Sequence, residues 1–261
     1  MREILEKLAQ GEISVDEAER ALKLDVIEKV SNVAKLDVGR ENRCGVPEII
    51  LAEGKSTVDL IAICSRMLEK TGRAIVTRLN DKQLSELTSS FGRTHELERF
   101  GHAKSLVILT KDKPGLKTGG RVGILTAGTA DLPVAEEAAM IAQQLGCTTF
   151  LESDVGVAGI HRLVEPLSKM IQNDVDVLIL VAGREGALPT VVAGLIDLPI
   201  IAVPASSGYG YGGQGQAALM AMLQACSLGL AVVNIDSGIA AGVVAAQIAN
   251  RVARARKTAR G

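Results

Sequence analysis

The chain has 261 residues, 47% of them hydrophobic, and a formal net charge of −1. That length builds one large or two modest domains with ample core, and so little net charge draws neither nucleic acid nor an anionic membrane. It contains no Trp, and only Phe91, Phe100, Phe150, Tyr209 and Tyr211 are aromatic, which means an aliphatic core and few rings for base-stacking on nucleic acid.

Read in chain order, Met1–Gln10 and Ser14–Leu24 form a charged helical hairpin broken at Gly11. The Ser14-x-x-Glu17 spacing fits a capping box. This opening does not read as a signal peptide, and no apolar run reaches the roughly 20 residues that span a bilayer. Pro47–Ala52 reads as a strand, Thr57–Thr71 as a helix, Arg73–Thr77 as a strand, Asp81–Leu87 as a helix and Leu106–Leu109 as a strand. Residues 1–110 are therefore expected to form a small α/β domain. Lys111–Gly120, with one Pro and three Gly, reads as a linker.

Residues 121–255 alternate strictly. The expected strands are Val122–Leu125, Thr148–Leu151, Val177–Val181, Ile200–Val203 and Ala231–Ile235. The expected helices are Pro133–Leu145, Leu163–Gln172, Leu188–Ile196, Gln214–Gln224 and Ile239–Ala253. Short Val/Ile-rich runs between helices of ten to fifteen residues make a doubly wound parallel sheet with helices on both faces. Arg251–Arg260 reads as a solvated helix end and frayed basic tail, the tail covering residues 256–261. Cys44, Cys64, Cys147 and Cys226 are widely spaced with no C-x-x-C pair, the pattern of reduced thiols in a cytosolic protein.

Ligands of open α/β sheets bind at the carboxyl ends of the strands, so the loops there carry the candidates. Thr126-Ala127-Gly128-Thr129-Ala130-Asp131 offers a glycine turn, hydroxyls and an N-cap acid at a helix start that favours an anion; an ordinary capped turn explains it equally well. It is neither G-x-G-x-x-G nor a P-loop. His161-Arg162 is able to meet phosphate and move protons, though such a dipeptide is more simply a surface pair. Gly183-Arg184-Glu185-Gly186 places a carboxylate over the sheet edge as a base, with Arg184 beside it to hold it ionised or to bind phosphate. Ser206-Ser207-Gly208-Tyr209-Gly210-Tyr211 is a glycine-rich loop long enough to wrap a ligand. Cys226 stands at the expected end of a helix, where packing alone accounts for it.

Taken together, these residues resemble the aminoimidazole ribonucleotide (AIR) carboxylase/mutase family, PurE, over residues 120–255. The matching pieces are Gly128–Asp131, His161-Arg162, Ala182-Gly183-x-x-Gly186-x-Leu188-Pro189 and Val203-Pro204. The whole chain is similar to the LarB family of that superfamily, through Arg184–Pro189, Ser206–Gly210, Cys226, Val233–Asp236, Leu36-Asp37-x-x-Arg40-x-x-Arg43-x-Gly45-x-Pro47-Glu48 and Gly54-Lys55. It departs from the purine enzymes at Ala187, where they carry a second His, and at Ala130, where they carry Ser.

The LarB resemblance implies a PurE-like (flavodoxin-like) catalytic domain after a smaller N-terminal domain. It implies carboxylation of nicotinic acid adenine dinucleotide by CO2 at ring carbon 5, with hydrolysis of the phosphoanhydride to AMP. Cys226 is then the nucleophile and Glu185 the base. Thr126, Gly128, Thr129, Asp131, His161, Arg162, Arg184, Ser206, Ser207 and Gly208 would bind substrate. Magnesium would accompany the pyrophosphate, with no flavin, haem or PLP, and the protein would be a homo-octamer. The alternatives are an AIR carboxylase/mutase of purine biosynthesis and a non-catalytic nucleotide-binding module.

Overall fold

A computed structural model describes residues 2–22, 27–30, 34–111 and 115–259. The chain forms two compact units, Met1–Arg99 with Lys104–Lys113, and Phe100–Ala103 with Pro114–Gly261. Among the described residues no helix is long and apolar enough to cross a membrane.

The first unit opens with α1 (Arg2–Ala9) and α2 (Val15–Leu22). The capping box forms as its spacing requires: the Glu17 N–H donates to Ser14 Oγ at 3.2 Å, and the Ser14 N–H donates to Glu17 Oε2 at 2.8 Å. Residues 1, 23 and 24 of the expected hairpin and 112–114 of the expected linker lie outside the described residues. An antiparallel ribbon of β1 (Ile27–Val30) and β2 (Ala34–Asp37) follows, then the single-turn helix α3 (Arg40–Cys44).

Next come β3 (Ile49–Leu51), α4 (Thr57–Thr71), β4 (Arg73–Thr77), α5 (Asp81–Phe91), β5 (Glu96–Phe100) and β6 (Ser105–Leu109). Their strands make a sheet ordered β3-β4-β6-β5. Helix α4 buries Leu60, Ile63, Cys64, Met67 and Leu68, and that burial pushes the Cys64 thiol up to about 12. Helix α5 runs one turn past its expected end at Leu87 because Phe91 also belongs to the core.

The second unit contains β7 (Arg121–Thr126), α6 (Leu132–Gln144), β8 (Thr148–Glu152), α7 (Val164–Gln172), β9 (Val177–Ala182), α8 (Ala187–Ala193), β10 (Ile200–Pro204), α9 (Gln216–Leu223), β11 (Leu230–Val232) and α10 (Gly238–Thr258). All five strands are parallel, in the order β11-β10-β9-β7-β8. This is the doubly wound, flavodoxin-like arrangement, and strand order reverses between β7 and β9. Every residue of β9 and β10 is buried, which is why both read as unbroken apolar runs.

One face of the sheet carries α6 and α10, which pack on each other. Gly242 of α10 allows that approach, since a Cβ there would lie 2.6 Å from the Ala138 carbonyl oxygen. The other face buries Leu167, Met170, Leu188, Val192, Ala218 and Met222 from α7, α8 and α9.

The basic end is not a frayed tail as far as Thr258. Helix α10 runs through it, and the Arg256 guanidinium bonds Asp174 and Asp176, each at 3.0 Å, and the Gly119 carbonyl at 3.2 Å. Burial of Asp176 makes this more than an exposed ion pair.

Candidate active site

A cavity of about 280 Å³ opens at the carboxyl ends of β7, β9 and β10, at the point where strand order reverses. Gly128 and Asp131 line it from the loop after β7, and Arg162 from the segment after β8. Arg184, Glu185 and Ala187 come from the loop and first turn after β9, and Ser207, Gly208 and Tyr209 from the loop after β10.

The loop after β7 differs in detail from its expected anion site. Asp131 does not cap α6; its Oδ2 turns back to accept the Gly128 N–H at 3.0 Å, and its Oδ1 accepts the Ser207 hydroxyl at 2.5 Å. A buried carboxylate therefore occupies the donor that a phosphate would need, and the spot suits a hydroxyl or a cation instead. Burial pushes the Asp131 carboxyl above the ordinary aspartate range; the bonds from Ser207 and Gly128 oppose the rise and the Asp236 carboxylate adds to it.

An acid whose folded pKa is raised costs least while protonated, and its contribution to stability is lost as pH rises through the folded value. Wild type measured against Asp131→Asn is thus expected to lose relative thermal stability as pH rises from about 4, the ordinary aspartate value, through the raised folded value. A Tm difference that stays constant over that range contradicts this.

Both glycines flanking Arg184-Glu185 have physical reasons. Gly183 faces Ser207 Oγ and the Gly208 N–H too closely for any Cβ. Gly186 has φ +65°, in the left-handed region, and a Cβ there would lie 2.7 Å from the Ala218 carbonyl oxygen. Between them, Arg184 does not hold Glu185. Its guanidinium stacks on the Tyr209 ring, 4.1 Å from the centroid. Glu185 is exposed at the cavity, and among the described residues it has no hydrogen-bond or ion-pair partner.

Arg162 also lines the cavity and bonds Asp154 at 2.6 Å. Both side chains of that pair are about half exposed, so it is worth roughly 0–1 kcal/mol and yields readily to a phosphate. Ser206 and Ser207 are pinned at the loop base: the Ser206 N–H donates to Asp236 Oδ1 at 2.8 Å, while Ser207 bonds Asp131. Asp236 stands in the Val233–Asp236 segment of the LarB resemblance, but its contact with Ser206, 30 residues away, is not legible in local pattern.

Of the twelve candidates, Gly128, Asp131, Arg162, Arg184, Glu185, Ser207 and Gly208 line the cavity. Thr126, Thr129, His161, Ser206 and Cys226 do not. Thr126 is buried beneath the wall, with its hydroxyl accepting the Asp154 N–H at 3.4 Å. Thr129 and His161 are exposed outside it.

Cys226 departs furthest from expectation. Helix α9 stops at Leu223, and Cys226 is exposed in the bend before Gly229, whose φ of +91° turns the chain into β11. That bend is at the amino ends of the strands, because the Ile200 N–H at the start of β10 donates to the Gly229 carbonyl. Ser227 lies beside Gly194, the C-terminal cap of α8, whereas Glu185 precedes the first turn of α8. The seven residues of α8 and the five of β10 thus separate thiol and carboxylate by roughly 10–16 Å within one chain.

Comparison with known proteins agrees with this architecture. Residues 121–259 match the AIR carboxylase family model, and residues 27–107 match the LarB/PurE-like N-terminal domain model. The chain is 42% identical over 251 residues to an uncharacterized protein of Methanocaldococcus jannaschii, covering 95% of this chain and 96% of that one. It is 35% identical over 127 residues to the N5-carboxyaminoimidazole ribonucleotide mutase of the same organism, 48% of this chain and 76% of the mutase. The corresponding mutase of Thermotoga maritima is 29% identical over 133 residues, 49% of this chain and 74% of the mutase.

Proposed function

We propose, for a chain that belongs to the LarB family with its PurE-like, AIR carboxylase-related core, carboxylation of a pyridinium ring. The substrate is nicotinic acid adenine dinucleotide. The products are pyridinium-3,5-biscarboxylic acid mononucleotide and AMP. One observation carries the choice of chemistry: the cavity wall holds an unengaged carboxylate, Glu185, but no imidazole, since Ala187 replaces the histidine of the purine enzymes and His161 lies outside. A site with one unengaged acid, the other being Asp131 held by Ser207 and Gly128, and with no histidine on its wall suits a reaction that strips a single ring proton.

The chemistry follows from the electron-poor ring. A thiolate adds to carbon 4 of the pyridinium, giving a neutral dihydropyridine whose carbon 5 is the nucleophilic end of an enamine. Carbon 5 attacks CO2 and forms a carbon–carbon bond. Glu185 then takes the carbon-5 proton, and the thiolate leaves with the carbon–sulfur electrons as the ring becomes aromatic again. Arg162 faces the phosphates, and Asp131 faces a ribose hydroxyl or a cation.

The thiolate is that of Cys226, supplied by a second copy of the chain. Its position at the opposite edge of the sheet from its own Glu185 supports that arrangement, as do the exposed Met220, Leu223 and Leu228 on either side of it. A homo-oligomer, the octamer expected above, would close each site between copies.

Magnesium is proposed to arrive with the pyrophosphate. Such an ion needs only one or two protein oxygens beside the phosphates, and the Asp131 carboxylate is of the right kind. Held by Asp131, such an ion would supply neutralisation of the phosphate charge.

The test is incubation with nicotinic acid adenine dinucleotide, bicarbonate and magnesium, read by mass spectrometry for AMP and carboxylated nicotinate mononucleotide. Absence of both from folded protein that binds the dinucleotide rejects the proposal. Conversion of N5-carboxyaminoimidazole ribonucleotide instead would assign it the mutase reaction of its purine relatives.

A further inference from the structure

We propose that Arg184 and Tyr209 form a stacking platform for the purine ring of the substrate's adenylate half, an assignment that rests on the dinucleotide reading above. At about 280 Å³ the cavity is at the small end for ligand pockets and suits one nucleotide half. The second base then belongs at the mouth, where Arg184 and Tyr209 stack at 4.1 Å and Tyr209 remains 75% exposed.

The platform is built from the backbone up. Ser206 and Ser207 fasten the loop base to Asp236 and Asp131. Gly208 then rests on the neighbouring turn, so close that a Cβ would lie 3.0 Å from the Gly183 carbonyl carbon and 3.1 Å from the Arg184 nitrogen. Tyr209, the next residue, is thereby held over Arg184. The chain turns away at Gly210, with φ +88°, and leaves Tyr211 fully in solvent.

Charge decides which of the two bases the platform takes. A guanidinium repels the pyridinium cation, whereas a neutral, electron-rich purine stacks favourably on both the arginine plane and the tyrosine ring. The pyridinium is thus directed past Arg184 toward Glu185, and the purine stays outside. One loop sorts the two halves of a pseudo-symmetric dinucleotide.

The chain supplies its own reporter, having no Trp and only two tyrosines, both on this loop. In a Tyr211→Phe background, AMP is expected to quench the remaining tyrosine emission saturably, and nicotinic acid mononucleotide is not. Tyr209→Leu is expected to raise KM for the dinucleotide about 5- to 100-fold with a smaller change in kcat, and Tyr209→Trp to recover it. Unquenched emission together with an unchanged KM in Tyr209→Leu overturns the platform, and equal quenching by the mononucleotide overturns its selectivity. Failure of wild type to turn over the dinucleotide defeats the substrate reading instead, which the AMP titration does not depend on.

Discussion

Replacing Cys226 with serine is expected to lower carboxylation on the order of 10³-fold or more while the dinucleotide binds as before. A serine hydroxyl is far less nucleophilic than a thiolate and a far poorer leaving group from carbon 4, so both addition and release suffer. Binding is spared because serine keeps nearly the size of cysteine, and the base and phosphate contacts proposed above come from other residues. The sharper result comes from mixing. Copies carrying Cys226→Ser and copies carrying Glu185→Gln are each expected to be inactive, yet their co-assembled oligomer regains activity at about a quarter of its sites, where an intact pocket meets an intact thiol. Mixed oligomers with no recovered activity refute a site shared between copies. Full activity in Cys226→Ser alone refutes the thiol adduct.

The second large effect is at Glu185. Glu185→Gln removes the base but keeps the shape, and turnover is expected to fall about 10²- to 10⁴-fold. Cys226 is untouched, so the sulfur adduct to the ring still forms and accumulates. Mass spectrometry of acid-quenched protein should find it at higher occupancy in the variant than in wild type. Turnover at the wild-type level would leave Glu185 a solvated surface acid.

Much of this fold is legible in the amino-acid sequence. Thr57–Thr71 and Arg73–Thr77 match their expected bounds, because Ser56 caps the helix and Gly72, at φ +71°, ends it. The core strands were legible because burial on both faces leaves an uninterrupted apolar run. Other elements were not. IEKV carries charge at both central positions and AKLD at alternate ones, and what makes them strands is Val30 and Leu36 packing into a core assembled from α4 and the sheet. β5 is similar, with Leu97 as its contact with the core.

Most of the candidate site was legible for a topological reason, since glycine-rich loops after strands of a parallel sheet all reach one edge. Cys226 was singled out, but its place in the fold was not legible, for the same reason reversed. Its loop precedes a strand, and the nearly uniform apolarity of α9 hides where that helix ends. Direct partners such as Arg184 with Tyr209, or Asp131 with Ser207, join separate loops and are invisible to local pattern.

The Arg256 clamp bears on how the second unit folds. Its bond to the Gly119 carbonyl joins residues 137 apart, and α10 packs against α6 and the central strands β7 and β9. The strand that begins the unit therefore lacks part of its cover until the final helix returns to it. Closing so long a loop is entropically slow, and topologies dominated by such contacts fold slowly. Until that closure the face of the apolar β7, β9 and β10 that α10 shares with α6 is only partly covered, which makes the period before α10 docks the one in which the chain is most exposed to aggregation.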